Sequence, residues 1–396
     1  MKLIFLIGDG MGDWPVDELD GKTPLEAAET PAMDALANDC CAGLARTVPD
    51  SMPPGSDVAN MSLFGFDPEK YHTGRGPIEA AAMGLNVGPD DLIYRLNLVV
   101  VDDFGPKGTM RDYSGGHVTT DQAREAIELF RKEVRIEGFE FHPGVSYRHI
   151  LVHRGGAAEP EAKVEIRPPH DITDKSIAED YRTLEGNPAL LGLMHECSRL
   201  LSERMPDVAP NTVWPWGQGR PLMLPNFEEA YGMKGAVISA VDLVKGLGRA
   251  CGMEVIEVPE VTGLLDTNYE GKVAAALDFL ERGDFAYLHV EAPDECGHSG
   301  ITADKVEAIR RFDSRVVAPI AKALEGKDTA VLVTCDHFTP LIERTHTKDP
   351  VPFMLSVPGC RGDLIDGFTE KTAAQSGIMV EPGHDLMNWV LSRFES

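Results

Sequence analysis

Short apolar runs, each followed by a polar turn and then a stretch of helical spacing, set the rhythm of both ends of this chain. LIFLI near the start and AVLVT near residue 330 are almost unbroken apolar runs of strand length, the pattern of strands buried on both faces. The first leads into IGDGMGD and the second into CDHFTP, so Asp9, Asp336 and His337 fall just beyond the carboxyl ends of predicted parallel strands. Ligands collect there in open α/β sheets. A helix over residues 30–38 is announced by Thr30-Pro31, a capping residue followed by proline at the first helical position. After Gly76 the pattern changes. Residues 94–101 alternate as a strand, 119–135 have helical spacing, 147–152 read as a strand, and a Pro-rich piece, IRPPHDITD, precedes a helix over 188–205.

From Gly235 the alternation of strand and helix resumes: AVISA, VDLVKGLGRACG, MEVIEV, a helix over 268–282, AYLHVEA, another helix, AVLVT, PFMLSV and a closing helix over 385–394. The order reads as one domain interrupted by another. Residues 1–75 and 232–396 are expected to form a discontinuous α/β domain, and residues 76–231 an inserted, smaller α/β or α+β domain. Glycines in 74–84 and 217–235 supply candidate hinges. No internal repeat or low-complexity tract is evident.

A length of 396 residues with 43% hydrophobic content is ample for more than one extended core. The net charge of −27, from 37 basic against 64 acidic residues, argues against nucleic acid or an anionic membrane as a partner. An anionic substrate would need basic side chains gathered locally against that field. The apolar stretch in MKLIFLIGDG is too short for a signal-peptide core, and nothing elsewhere approaches a membrane span. Seven cysteines without a regular framework fit a reducing compartment, so a cytoplasmic protein is expected, with Cys296 and Cys335 as packing residues and the adjacent Cys40 and Cys41 unsuited to an ordinary zinc pair.

Candidate chemistry lies in five short patches: Asp9 in IGDGMGD, Ser56 in PPGSDVAN, Asp294 and His298 in PDECGH, Asp336 and His337 in TCDH, and His346 in RTHTKDP. Each alone is ordinary. Together they make the ligand inventory of a phosphotransfer centre with two divalent ions about 3.5–4 Å apart. Three histidines favour manganese, zinc or cobalt while leaving magnesium possible. Asp294 and His298 are four apart, suited to one helical face or turn, whereas the adjacent Asp336 and His337 can share a site only in a bent loop. A serine among such ligands is the expected nucleophile, because a hydroxyl is weakly nucleophilic until a metal lowers its pKa. Pro53, Pro54 and Gly55 force a tight approach to Ser56, and residues 57–63 read as the start of a helix whose free N–H groups would meet a phosphoryl group.

The chain resembles the cofactor-independent phosphoglycerate mutases of archaeal type, a branch of the alkaline phosphatase superfamily. The residues that carry the likeness run from end to end: LIGDGMGD, TPLEAAETPAMDALA, PPGSDVANMSLFGFDP, YHTGRGPIEAAAMG, NTVWPWGQGRP, AVISAVDLVKGLGRACGM, HVEAPDECGHSG and TCDHFTP. The resemblance implies an alkaline-phosphatase-like, mostly parallel sheet sandwiched by helices. It also implies interconversion of 3- and 2-phosphoglycerate through a phosphoserine, without bisphosphoglycerate. One cation would be held by Asp9, Ser56, Asp336 and His337, and the other by Asp294, His298 and His346. The inserted domain would bind substrate, with His117 matching a phosphate-binding histidine after paired glycines and Arg220 a substrate-gripping arginine. Arg148 and His170 are further candidates, Arg being apt for bidentate anion contacts. Asp171 or Asp174 would serve the glycerate hydroxyls, although PPHDITDK departs from the archaeal pattern there. Lys245 in DLVKG is a candidate to stabilise charge on the moving phosphoryl group. A small phosphorylated metabolite is the expected partner, and a monomer or small homo-oligomer the expected assembly. The alternative is a phosphatase or phosphotransferase on another small metabolite such as homoserine, although no GxxxxGK[ST] phosphate loop occurs.

Overall fold

The computed structural model describes residues 1–37, 41–158, 160–359 and 367–394. Two compact units emerge: Met1–His72 with Met223–Ser396, and Thr73–Leu222. Asn38, expected to end a helix, and Cys40 lie outside the described residues.

The first unit is built on an eight-stranded sheet in the order Met379–Val380, Cys41–Ala45, Val351–Ser356, Thr329–Thr334, Lys2–Gly8, Phe285–Val290, Gly235–Ile238 and Glu254–Val255. From Thr329–Thr334 to Glu254–Val255 all pairings are parallel, and Val351–Ser356 runs antiparallel to both of its neighbours. Leu3 to Ile7 are wholly buried, as double-sided cover by helices demands. Register fixes the site: Ile7 is level with His289 on one side and Thr334 on the other. The chain therefore leaves three adjacent strands at one height, where Asp9, the 291–298 segment and Asp336 follow.

Local signals account for several boundaries. Gly55 precedes the helix Ser56–Leu63, and Asn268 accepts the Gly271 N–H to open Tyr269–Arg282. MEVIEV pairs only over Glu254–Val255, because it is an edge with one neighbour and soon meets Pro259. The closing helix is Leu386–Ser392, entered through a single tight turn at Gly383–Asp385. The helix Phe227–Tyr231, assigned from sequence to the insertion, packs in the first unit, with Phe227 stacked on Phe285 at 4.9 Å and Tyr231 Oη donating to Gly65 O at 2.8 Å.

In the second unit Leu92–Val101 is the central strand, paired antiparallel with Arg148–His153, Thr212–Gly219 and, at its end, Met110–Asp112; Phe139–His142 pairs Arg148–His153. Its core sets Leu96, Leu98 and Trp214 against Ala126, Ile127 and Phe130 of the helix Thr120–Glu133 and Leu193, Met194 and Cys197 of Pro188–Arg204. Thr119 and Gln122 form a capping box at the first helix, and Asn187 caps the second. This antiparallel sheet with helices makes the insertion α+β.

Candidate metal and phosphotransfer site

All seven proposed ligands belong to the first unit, and the strand ends bring them together. Asp9 leaves Lys2–Gly8 in a turn whose next residue, Gly10, has φ +58°; a Cβ there would lie 2.5 Å from Asp294 Oδ1 and from Thr339 Oγ1. Glycine is thus demanded both by backbone conformation and by the Asp294 and Thr339 oxygens that pass over it. Asp336 follows Thr329–Thr334 and is wholly buried, accepting hydrogen bonds from Gly10 N (3.1 Å), His337 N (2.9 Å) and Asn60 Nδ2 (2.7 Å).

The loop after Asp336 bends so that His337 Nε2 stands 3.6 Å from Asp336 Oδ2, 3.5 Å from Asp9 Oδ1 and 3.1 Å from Ser56 Oγ. Thr339 donates its hydroxyl to Asp294, so it accepts from His337 Nδ1 at 3.3 Å, which leaves Nε2 a lone pair directed at this cluster. Asp294, on the helix Ala292–Ser299, lies 3.2 Å from His298 Nε2 and 3.4 Å from His346 Nε2. His298 gives its Nδ1 hydrogen to Arg344 O at 3.0 Å, a carbonyl being able only to accept. Its Nε2 then faces His346 Nε2 at 3.0 Å. Two imidazole nitrogens that close require a proton or a cation between them.

The donors fall into two tight groups, Asp9 with His289 and Asp336, and Asp294 with His337 and His346, each within 4.8 Å. His337 therefore stands with both sets rather than with Asp9 and Asp336 alone. Buried charge without compensation supports the fit to cations. Burial first, and then the charges of Asp336 and Asp294, raise the Asp9 carboxyl well above its ordinary range. For Asp336, burial also acts upward, but His337 and His289 beside it hold the group below the usual carboxylate value. Asp9 Oδ1 and His289 Nε2 are buried without a hydrogen-bond partner. Such a donor set of carboxylates and imidazoles suits divalent transition metals.

The hydrogen bond that protonated His298 donates to the Asp294 carboxylate outweighs burial and pushes the imidazole up to about 9. A cation that takes His298 Nε2 must displace that proton. Uptake at Asp294, His298 and His346 is expected to release a proton and to strengthen about tenfold per pH unit until the pH passes that value, flattening above it. Calorimetric titration in buffers of different ionisation enthalpy, below and above the His298 pKa, counts the protons directly.

Sequence reading missed the groups that aim the ligands. Asn60, one helical turn after Ser56, donates to Ser56 O and Asp336 Oδ2 and receives the Tyr287 hydroxyl. Replacing Asn60 by leucine leaves buried Tyr287 and Asp336 short of partners. Metal affinity is expected to fall about 10- to 100-fold, with about 1–3 kcal/mol of stability lost, measurable by metal titration and denaturant unfolding. The polar positions four apart on a helix were the available signal. His289 was hidden inside AYLHVEA, where it read as one more strand position.

Lys245, called from sequence for charge stabilisation, lies 2.9 Å from Glu257 and 3.9 Å from Asp242, so its ammonium is already engaged. Lys272, on Tyr269–Arg282, is the wholly buried lysine nearby, donating to His289 O at 2.9 Å, and burial lowers it to about 8. Burial raises the Cys296 and Cys335 thiols, as inert packing residues require.

Within the second unit, His170 packs edge-on to Trp216 (5.3 Å) and Tyr113 (6.2 Å), and burial, then Arg75 and Arg95, hold its pKa below the usual value. Arg95 lies 4.3 Å over the Trp216 ring, is paired to Glu79 at 3.1 Å, and feels both Arg75 and Arg148. Arg148 and His170 thus belong to one cationic neighbourhood, whose Arg75 and Arg95 the sequence reading did not single out. His117 is exposed at φ +55° after Gly116, its N–H bound to Ser114 Oγ at 3.2 Å. Arg220 is exposed and donates to Ala157 O at 3.3 Å. Asp171, in the single helical turn Pro169–Ile172, and Asp174, just after it, are exposed, and Asp174 lies 3.4 Å from Arg111.

Acidic and imidazole donors at the carboxyl ends of a parallel sheet, with a serine hydroxyl at a helix start among them, define a metal-dependent enzyme on an α/β scaffold. Residues 37–205 match the family described as 2,3-bisphosphoglycerate-independent phosphoglycerate mutase. A probable enzyme of that name from Geobacter sulfurreducens is 47% identical over 99% of this chain and 100% of its own. The Methanosarcina acetivorans enzyme is 43% identical over the same shares. Among solved structures, a Pyrococcus horikoshii protein aligns with TM-score 0.81 and 27% identity over 99% of this chain and 96% of its own, and the cofactor-independent phosphoglycerate mutase of Thermoplasma acidophilum with 0.67 and 26% over 99% of each. The chain belongs to the 2,3-bisphosphoglycerate-independent phosphoglycerate mutase family, and is accordingly an isomerase. Among the described residues, no helix is long and apolar enough to cross a membrane.

Proposed function

We propose that this enzyme interconverts 3-phosphoglycerate and 2-phosphoglycerate by passing the phosphoryl group through Ser56. The observation that carries the reading is the position of Ser56 Oγ at the first residue of a helix, 3.1 Å from His337 Nε2, which itself stands 3.5 Å from Asp9 Oδ1 and 3.6 Å from Asp336 Oδ2. Two divalent cations, held by Asp9, Ser56, Asp336 and His337 and by Asp294, His298 and His346, would polarise the phosphoryl oxygens and acidify the serine hydroxyl. Ser56 Oγ, whose proton passes to solvent, forms the bond to phosphorus as the phosphorus–oxygen bond to glycerate breaks, and the departing glycerate oxygen takes up a proton. Phosphoserine then sits at the N-terminus of Ser56–Leu63, where free backbone N–H groups favour the anion. Return of the phosphoryl group to the other glycerate hydroxyl completes the isomerisation.

His117, Arg148, His170 and Arg220 are assigned to substrate oxygens, and Arg75 and Arg95 add positive charge around Arg148 and His170 in a chain of net charge −27, Arg95 from a buried position against Trp216 and Glu79. Asp171 or Asp174 is assigned to proton exchange at the glycerate hydroxyls. Lys245 would act on the phosphoryl group only after leaving Glu257. The test is to assay the metal-supplemented enzyme on each phosphoglycerate, without bisphosphoglycerate, beside homoserine with ATP. Isomerisation in both directions is expected, and phosphorylation of homoserine without isomerisation would overturn the assignment.

A further inference from the structure

His289 interrupts a strand whose other residues are apolar. Phe285, Ala286, Tyr287, Leu288 and Val290 are all wholly buried, and so is His289. A fully buried imidazole is retained in such a strand only if both ring nitrogens have work, since each is a polar atom taken out of water. Nδ1 has a partner, Ser239 Oγ at 3.3 Å, and that hydroxyl also accepts the Val241 N–H at 2.9 Å. Nε2 has none. It points at Asp9 Oδ2, 3.3 Å away, and at Asp336 Oδ2, 3.9 Å away and beyond hydrogen-bond reach.

The 3.3 Å separation from Asp9 matches that of adjacent donors sharing one ion, and the 3.9 Å separation from Asp336 lies between adjacent and opposite positions around it. With bonds of about 2.0–2.2 Å, adjacent donors on one cation stand about 3–3.5 Å apart. Asp9 divides its two oxygens between two imidazoles, Oδ1 toward His337 and Oδ2 toward His289. Ser239 supplies the outer partner that holds a ligating histidine by its far nitrogen, the arrangement His298 has with Arg344 O and His337 with Thr339. We propose that His289 is a nitrogen ligand of the cation held by Asp9 and Asp336, oriented for it by Ser239. That cation then has two imidazoles, His289 and His337, and its pocket prefers a transition metal to magnesium. The inference rests on reading Asp9 and Asp336 as cation ligands, but not on the identity of the substrate.

The experiment is a cobalt titration of the metal-stripped protein, followed by visible absorption and by the rise in melting temperature, neither of which needs turnover. His289→Gln keeps an N–H donor for the carboxylates but has no imidazole lone pair. Wild type should take up two equivalents. In His289→Gln one of them should weaken by about 100-fold or more, its band moving to longer wavelength as oxygen replaces nitrogen, while Ser239→Ala should weaken the same equivalent by about tenfold. Should His289→Gln fail to fold, the milder Ser239→Ala decides by the same readout. Unchanged affinity and band shape in these variants would overturn the proposal and leave His289 as a hydrogen-bond donor. Wild-type uptake of a single equivalent would instead overturn the two-cation reading, and the band shape of that equivalent in the variants would still decide His289.

Discussion

Ser56→Ala is expected to lower kcat by about ten-thousand-fold or more, with little change in folding stability. Losing a covalent nucleophile forfeits the whole two-step route, and remaining binding groups recover only a residual rate. The fold should tolerate the change because Ser56 is only partly buried and alanine is a good helix former at the start of Ser56–Leu63. Steady-state assays of both phosphoglycerates, beside denaturant unfolding of the same preparation, separate the two effects. Isomerisation within about tenfold of wild type would remove Ser56 from the chemistry.

The second large effect is on the frame that carries the proposed ligands. Lys305, on the helix Thr302–Phe312, is wholly buried and reaches Asp13 Oδ2 at 2.8 Å, Thr339 O at 2.8 Å and Gly12 O at 3.2 Å. Asp13 in turn accepts the Leu341 N–H at 3.1 Å. One ammonium thus ties the loop after Asp9 to the loop after Asp336 and His337. Lys305→Met would leave the Asp13 carboxylate buried without its partner, which costs about 3–5 kcal/mol. Adding Asp13→Asn removes the stranded charge and should recover part of that loss. Urea unfolding measures both, and a loss below about 1 kcal/mol would place the pair among weak surface contacts.

Much of this arrangement was legible because its signals are local. LIFLI and AVLVT are almost unbroken apolar runs, so buried parallel strands followed, and the polar turns after them had to stand at one sheet edge. Thr119, Asn187 and Asn268 mark helix starts by residue type alone. What escaped depends on partners distant in sequence. Lys305 resembles any lysine on a helix until Asp13 appears beside it, 292 residues away. Arg95 stood at a position that alternation assigns to solvent, yet Trp216 and Glu79 cover it. His337 could be assigned to one cation from its neighbour Asp336, whereas the packing places it against His346 as well, ring centroids 4.0 Å apart. The return to the first unit at Met223 was obscured because the run from NTVWPWGQGRP to Tyr231 has no break in composition. It takes Phe227 on Phe285 to show to which unit the short helix belongs.

The most direct test of the central claim is to mix metal-loaded enzyme with phosphate-labelled 3-phosphoglycerate, quench in acid within a single turnover, digest, and map the label by mass spectrometry. Label is expected on the peptide containing Ser56, lost again when unlabelled 2-phosphoglycerate is added before the quench. Single-turnover conversion to 2-phosphoglycerate with no label on Ser56 at any time would contradict it.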